Sequence, residues 1–338
     1  MKHSQLALAA ILFALGATAH ADGNGYRIAE KFALGGGGAW DYTTIDPATH
    51  RLYLSRADHV QIVDTTTGKE VAVIPDTQGV HGITLAPALG RGYISCGKAN
   101  AVKVFDLKTN AVLATIATGA NPDAILFEPT TQRVFAFNGH GTSASVIDAK
   151  TNQVVATIAL DGKPEFARAD GRGEIFVNIE DKAELAAIDA AKATVKATFK
   201  LPQCEGPTGL ALDAKHRRSF STCDKTLAVL DVDSGKPVAS LPIGDDTDAA
   251  EFDPAIQTVF TANGEGNLSI VRENDPDHYT ALPALATQEG ARTLALDPAT
   301  HRLYLPTAKF GPPPADNPRA HPVAIKGTFV VLVAAPVS

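Results

Sequence analysis

The chain has 338 residues, 45% of them hydrophobic and 20% charged, which is the composition of a globular protein with a large core and excludes a disordered chain. Its 30 Lys+Arg against 37 Asp+Glu give a formal charge of −7, which argues against bulk electrostatic binding to nucleic acid or to an anionic membrane surface. The 28 Gly and 21 Pro, with many Thr and Val, favour short strands and frequent turns.

The N-terminus reads as a secretory leader over residues 1–21. Lys2 supplies the basic start, residues 6–15 (LALAAILFAL) form a short apolar run, and Ala19-His20-Ala21 fits a cleavage site, so the mature chain is expected to begin at Asp22. The run is too short for an ordinary membrane span, and no later stretch is apolar enough to insert. The expected location is the periplasm or the medium.

A phrase of about 42 residues then recurs. Its closing V-x-V-x-D ends at Asp64, Asp106, Asp148, Asp189 and Asp231, in steps of 42, 42, 41 and 42. A sixth copy ends near Arg272-Glu273, and a seventh ends in FVVLV after a long insertion at 306–327. The opening runs align as DYTTIDP (41–47), HGITLAP (81–87), DAILFEP (123–129), EFARADG (165–171), TGLALDA (208–214), DAAEFDP (248–254) and RTLALDP (292–298). Each copy reads as four strands, and the turn between the third and fourth is of the D-x-x-T/S-G/N kind. Period-2 alternation excludes helical repeats. The fold class is therefore all-β: a seven-bladed β-propeller of four-stranded blades over residues 22–338. YRIAEKFAL (26–34) has no inner strand before it and is expected to supply the outer strand of blade seven, closing the ring.

The phrases NAVLATIATGANPDAI (110–125) and NQVVATIALDGKPEFA (152–167) resemble the YVTN-type repeat of YncE-like periplasmic propellers; the nearest copy of the tetrapeptide is Ile175-Phe176-Val177-Asn178. The resemblance implies seven blades and export, and for a relative it implies binding of single-stranded DNA. The acidic balance of this chain disfavours a nucleic-acid partner.

Register places the starts of the inner strands around one mouth of the central channel: Asp41, His81, Asp123, Glu165, Thr208, Asp248 and Arg292. Loops after the second strands bring Asn178 and Asn263 to the same face. Asp41, His81, Asp123, Glu165, Asn178, Asp248, Asn263 and Arg292 are thus the candidate ligand-binding set. Converging carboxylates raise one another's pKa or recruit a cation. Ca²⁺ would suit the carboxylate and amide oxygens; Zn²⁺ would suit His81 with two carboxylates, and Glu165, Asp248 and His81 are the candidate metal ligands. His50 and His301 lie in recurring turns of the opposite face and are read as structural. Trp40, after a run of four glycines, is either a ligand platform or a packed anchor. The Pro-rich insertion is read as a partial lid.

Cys204 and Cys223 flank antiparallel neighbours in blade five and are expected to form a disulfide in an oxidising compartment; Cys96, across the ring, should stay free. No nucleophile or zinc-protease motif is present. The leading functional reading is a binding module for a small molecule, a metal ion or an envelope protein, expected to be monomeric. The alternative is a metal-dependent lactonase-like hydrolase. The segment 205–210 (EGPTGL) resembles part of the gluconolactonase-type propellers, and Glu165, Asn178, Asn263 and Asp248 would be the ligands, though such enzymes usually have six blades.

Overall fold

In the computed structural model, which describes residues 23, 25–312 and 323–337, the chain forms seven four-stranded antiparallel sheets arranged as the blades of a β-propeller. The inner strands of blades one to six are Thr43–Asp46, Val80–Ala86, Pro122–Glu128, Pro164–Ala169, Leu210–Asp213 and Thr247–Asp253. Blade seven runs from Ala295–Asp297 through Arg302–Thr307 and Val330–Pro336 to an outer strand, Tyr26–Ala33, from the other end of the chain. That strand pairs antiparallel from Tyr26↔Pro336 to Ala33↔Val330, with one bulge between Ile28 and Glu30, so the ring closes as the repeat requires. The leader lies outside the described residues. Among those described, no helix is long and apolar enough to cross a membrane.

Burial explains the sequence texture. Second strands such as Arg133–Asn138 are buried along nearly their whole length, because both faces pack against neighbouring blades. Outer strands such as Gln153–Ala159 are mostly exposed. The core is therefore a ring of inter-blade contacts, with Tyr53 against Phe105 at 5.8 Å and Phe220 stacked on Phe252 at 5.5 Å. Polar stitches accompany them: the Tyr93 hydroxyl donates to the Ala149 carbonyl of the next blade at 3.0 Å.

The recurring Asp of the phrase is a turn cap. Asp64 Oδ1 accepts the N–H groups of Thr66 and Thr67, both at 2.9 Å, and Asp106, Asp148, Asp189 and Asp231 repeat the arrangement. The following position needs positive φ, which Gly235 supplies at 69°. There a Cβ would stand 2.3 Å from the ring of Phe199.

A second recurring irregularity positions the channel mouth. Val80 pairs with Cys96 but Ile83 with Ile94, so the inner strand carries one extra residue across His81 and Gly82. The same bulge spans Asp123, Glu165 and Asp248 in blades three, four and six. A bulge bends the strand and re-aims its side chains. It is placed on the residues that ring the mouth.

Candidate functional site

At the mouth, Asp41, His81 and Asp123 form the tightest group. His81 Nδ1 lies 2.6 Å from Asp41 Oδ2 and 3.6 Å from Asp123 Oδ1. The donor atoms of the three residues all lie within 4.8 Å of one another. The backbone N–H of Asp41 is fixed by Ser55 Oγ at 2.7 Å, and its carbonyl accepts from Thr293 Oγ1 at 3.0 Å. Next round the ring, Lys163 Nζ is 2.6 Å from Glu165 and also contacts Glu180. The Tyr42 hydroxyl donates to Glu165 Oε2 at 3.4 Å, and its ring meets Phe166 edge-on at 4.9 Å. Arg292 Nε faces Asp248 Oδ2 at 3.3 Å. Thr208 spends its hydroxyl on the Thr247 carbonyl at 2.6 Å.

The charges are poorly solvated. Burial, with the nearby Asp41 charge, pushes Asp123 up to about 6. Burial and Asp123 push Glu165 up to about 7, and burial outweighs Arg292 to push Asp248 up to about 6. Asp41 is raised by burial as well, against the hydrogen bond from His81. Burial opposes a charge on His81, but the Asp41 hydrogen bond and the fields of Asp123 and Asp41 win and raise it to about 9. Asp123 Oδ1 is buried and accepts no hydrogen bond. The site thus holds more negative charge than its own cations, His81, Lys163 and Arg292, neutralise.

The sequence-derived set does not converge as one cluster. His81 meets Asp41 and Asp123, whereas of the three candidate metal ligands Glu165 is paired with Lys163 and Asp248 with Arg292. Asn178 is fully buried: its amide donates to the Thr208 and Gly209 carbonyls at 3.0 Å and accepts from Ser221 at 2.8 Å, joining blade four to blade five. Asn263 is buried within blade six, bonded to Thr247, Thr261, Asn267 and Ser269. Sequence reasoning missed Tyr42 and Lys163. Each is within two residues of a mouth position, and only the side-chain contacts with Glu165 show that it belongs to the site.

A family model described as a domain of unknown function, DUF5074, matches residues 41–265. That is well over half of the chain. The chain belongs to this family. No curated protein matches the sequence. Among solved structures, the chain is similar to the Kuenenia stuttgartiensis hydrazine synthase, with TM-score 0.69 and 16% identity over 80% of this chain and 92% of that one. It is also similar to U3-55K, with TM-score 0.74 and 10% identity over 94% of this chain and 99% of that one. At these identities the likeness establishes the propeller fold alone.

Beside the mouth of this DUF5074 chain lies a cavity of about 580 Å³, lined by Ala39, Trp40, Arg292, Phe310 and Val323 among others. Trp40 packs on Phe310 at 5.9 Å and Phe329 at 5.3 Å while also facing this space, so it is both an anchor and a wall. The glycine run before it is held down, since the buried Arg56 guanidinium donates to the Gly37 carbonyl at 2.8 Å and lies 3.6 Å over the Phe329 ring. The base of the insertion is a short ladder in which Gly311 N–H donates to Val323 O at 2.9 Å; residues 313–322 lie outside the described ones. On the opposite face His301 Nδ1 contacts Asp253 at 2.7 Å, and the His50 carbonyl accepts from Thr65. Cys204 and Cys223 form a disulfide with Cα atoms 5.1 Å apart. Cys96 is a buried free thiol, pushed up to about 11 by burial.

Proposed function

We propose that this chain is an exported, YncE-like propeller that works as a binding module, and that its channel mouth binds a divalent cation at Asp41, His81 and Asp123. One observation carries the reading. A buried carboxylate oxygen without a hydrogen-bond donor, Asp123 Oδ1, sits among carboxylates whose pKa values are raised together. A cation supplies the missing positive charge; a bound metal would displace the His81 proton, and a neutral His with two carboxylates is a common donor set for Zn²⁺. Export is supported by the Cys204–Cys223 disulfide, which suits an oxidising compartment, together with the leader-like N-terminus. The hydrolase reading loses support because Asn178 and Asn263 spend their amides inside the blades.

Calorimetric titration of the chelator-treated mature chain with Zn²⁺, Mn²⁺ and Ca²⁺ tests the proposal. Binding of one of these ions, weakened at least tenfold by Asp123→Asn, is the expected result. Heats that are absent, or unchanged in that variant, would refute it.

A further inference from the structure

A second cluster lies on the opposite face, at the contact between blades five and six, and comparison of the repeats isolates it. In blades one to six, the residue that follows the closing position of the V-x-V-x-D phrase donates its N–H to the carbonyl just before the second strand. The pairs are Thr65 to His50, Leu107 to Gly90, Ala149 to Gln132, Ala190 to Gly173, Val232 to Arg217 and Glu273 to Gln257. Five of these six positions carry an uncharged side chain, and blade six carries a glutamate. Glu273 is not the turn cap of its hairpin. That hairpin runs on, and Asp275 Oδ1 takes the capping N–H, from Asp277, at 2.9 Å. The Glu273 side chain is 0% exposed, and neither of its oxygens has a hydrogen-bond partner.

Facing it is a second departure from the repeat. In the turn after the inner strand, the hydroxyls of Thr49, Thr131 and Thr300 donate to Asp46, Glu128 and Asp297 at 2.7, 2.6 and 2.8 Å. Blade five has His216 in that place. Its Nδ1 lies 2.5 Å from Asp213 Oδ2 and 3.5 Å from Glu273 Oε1. The donor atoms of the three residues fall within 4.8 Å of one another. Asp213 is 3% exposed and His216 22%, so the ring edge of His216 is the way in from solvent. The nearest other cation, Arg218, is committed to Asp231 and Asp277.

We propose that Asp213, His216 and Glu273 form a zinc-type divalent metal site that staples blade five to blade six, with water completing the coordination. One imidazole nitrogen and two carboxylates suit Zn²⁺, whereas Ca²⁺ prefers an all-oxygen shell. Metal–donor lengths of about 2.0–2.2 Å put donor atoms roughly 3.3 Å apart. The Asp213–His216 contact would open and the Glu273 contact would tighten slightly. Asp213 and Glu273 are two carboxylates buried side by side with one imidazole between them, an electrostatic cost that a dication relieves. The competing occupant is a proton shared between Asp213 and Glu273.

The test uses the mature chain carrying Asp41→Asn and Asp123→Asn, which disables the channel mouth, so the two sites are read separately. After chelator treatment it is titrated with Zn²⁺, with calorimetry and thermal melting as readouts. One equivalent should bind, the melting temperature should rise by several degrees, and His216→Gln and Glu273→Gln should each weaken binding at least tenfold. If Glu273→Gln fails to fold, His216→Gln alone decides. No saturable binding in this background, or binding unchanged by His216→Gln, would overturn the site. A metal-free gain in melting temperature from Glu273→Gln without zinc binding would assign the cluster to a shared proton instead.

Discussion

Asp123 shows what the mouth costs the fold. Its folded pKa of about 6 exceeds the ordinary value of 3.8, so the native state holds a proton more tightly than the unfolded chain. This term is neutral below pH 4 and grows increasingly destabilising as pH rises to 6. Asp123→Asn should therefore raise the melting temperature by a few degrees at pH 7.5, and much less at pH 4, by differential scanning fluorimetry in metal-free buffer. A uniform loss at both pH values would contradict the electrostatic account. His81 has the opposite sign. Its pKa is raised from 6.5 to about 9, so its stabilising charge is complete below pH 6.5 and lost as pH rises through 9. The fall in stability between pH 7 and 10 should be shallower in His81→Gln than in the wild type. The identities of these residues could be read from sequence, because they open each repeat. Their partnership could not, because the choice among seven neighbours is made by side-chain reach across the channel.

At the level of the element, the hairpins and bulges set the positions. Gly235→Ala should cost about 2 kcal/mol in urea denaturation, since the residue has φ of 69° and the new Cβ would meet Phe199 at 2.3 Å. Gly90→Ala is the control: φ is 63°, but no atom lies within 4 Å of the new Cβ, so about 1 kcal/mol is expected. Equal costs would show that the Phe199 contact is slack. Removing the Cys204–Cys223 bond by a double Ala substitution should cost about 3 kcal/mol. The disulfide followed from strand order, because antiparallel neighbours bring their ends together. The bulges at 80–83, 122–125, 164–167 and 247–249 did not, because one inserted residue leaves the alternation of a short strand nearly unchanged. Glu273 was hidden in the same way. The longer hairpin of blade six blurs where its repeat ends, so the sequence places that end only near Arg272-Glu273.

For the whole molecule, closure depends on Tyr26–Ala33 pairing with Val330–Pro336. Deleting residues 26–33 leaves that strand as an open apolar edge and should yield aggregated protein by size-exclusion chromatography, whereas removal of residues 1–21 should leave the fold intact. The ring was legible because a 42-residue period and a leftover first strand admit few other arrangements. The chemistry of the mouth was not, because the propeller supplies a rigid frame and the repeat does not dictate which side chain stands at a given position. His81 and Arg292 among the mouth residues depart from the repeat, and so do His216 and Glu273.

Equilibrium dialysis of the mature chain against buffered Zn²⁺, followed by elemental mass spectrometry, tests the channel mouth most directly. The wild type should retain one more ion per chain than the Asp41→Asn/Asp123→Asn variant, at matched folded content. Equal metal in the two proteins would contradict a cation site at the mouth.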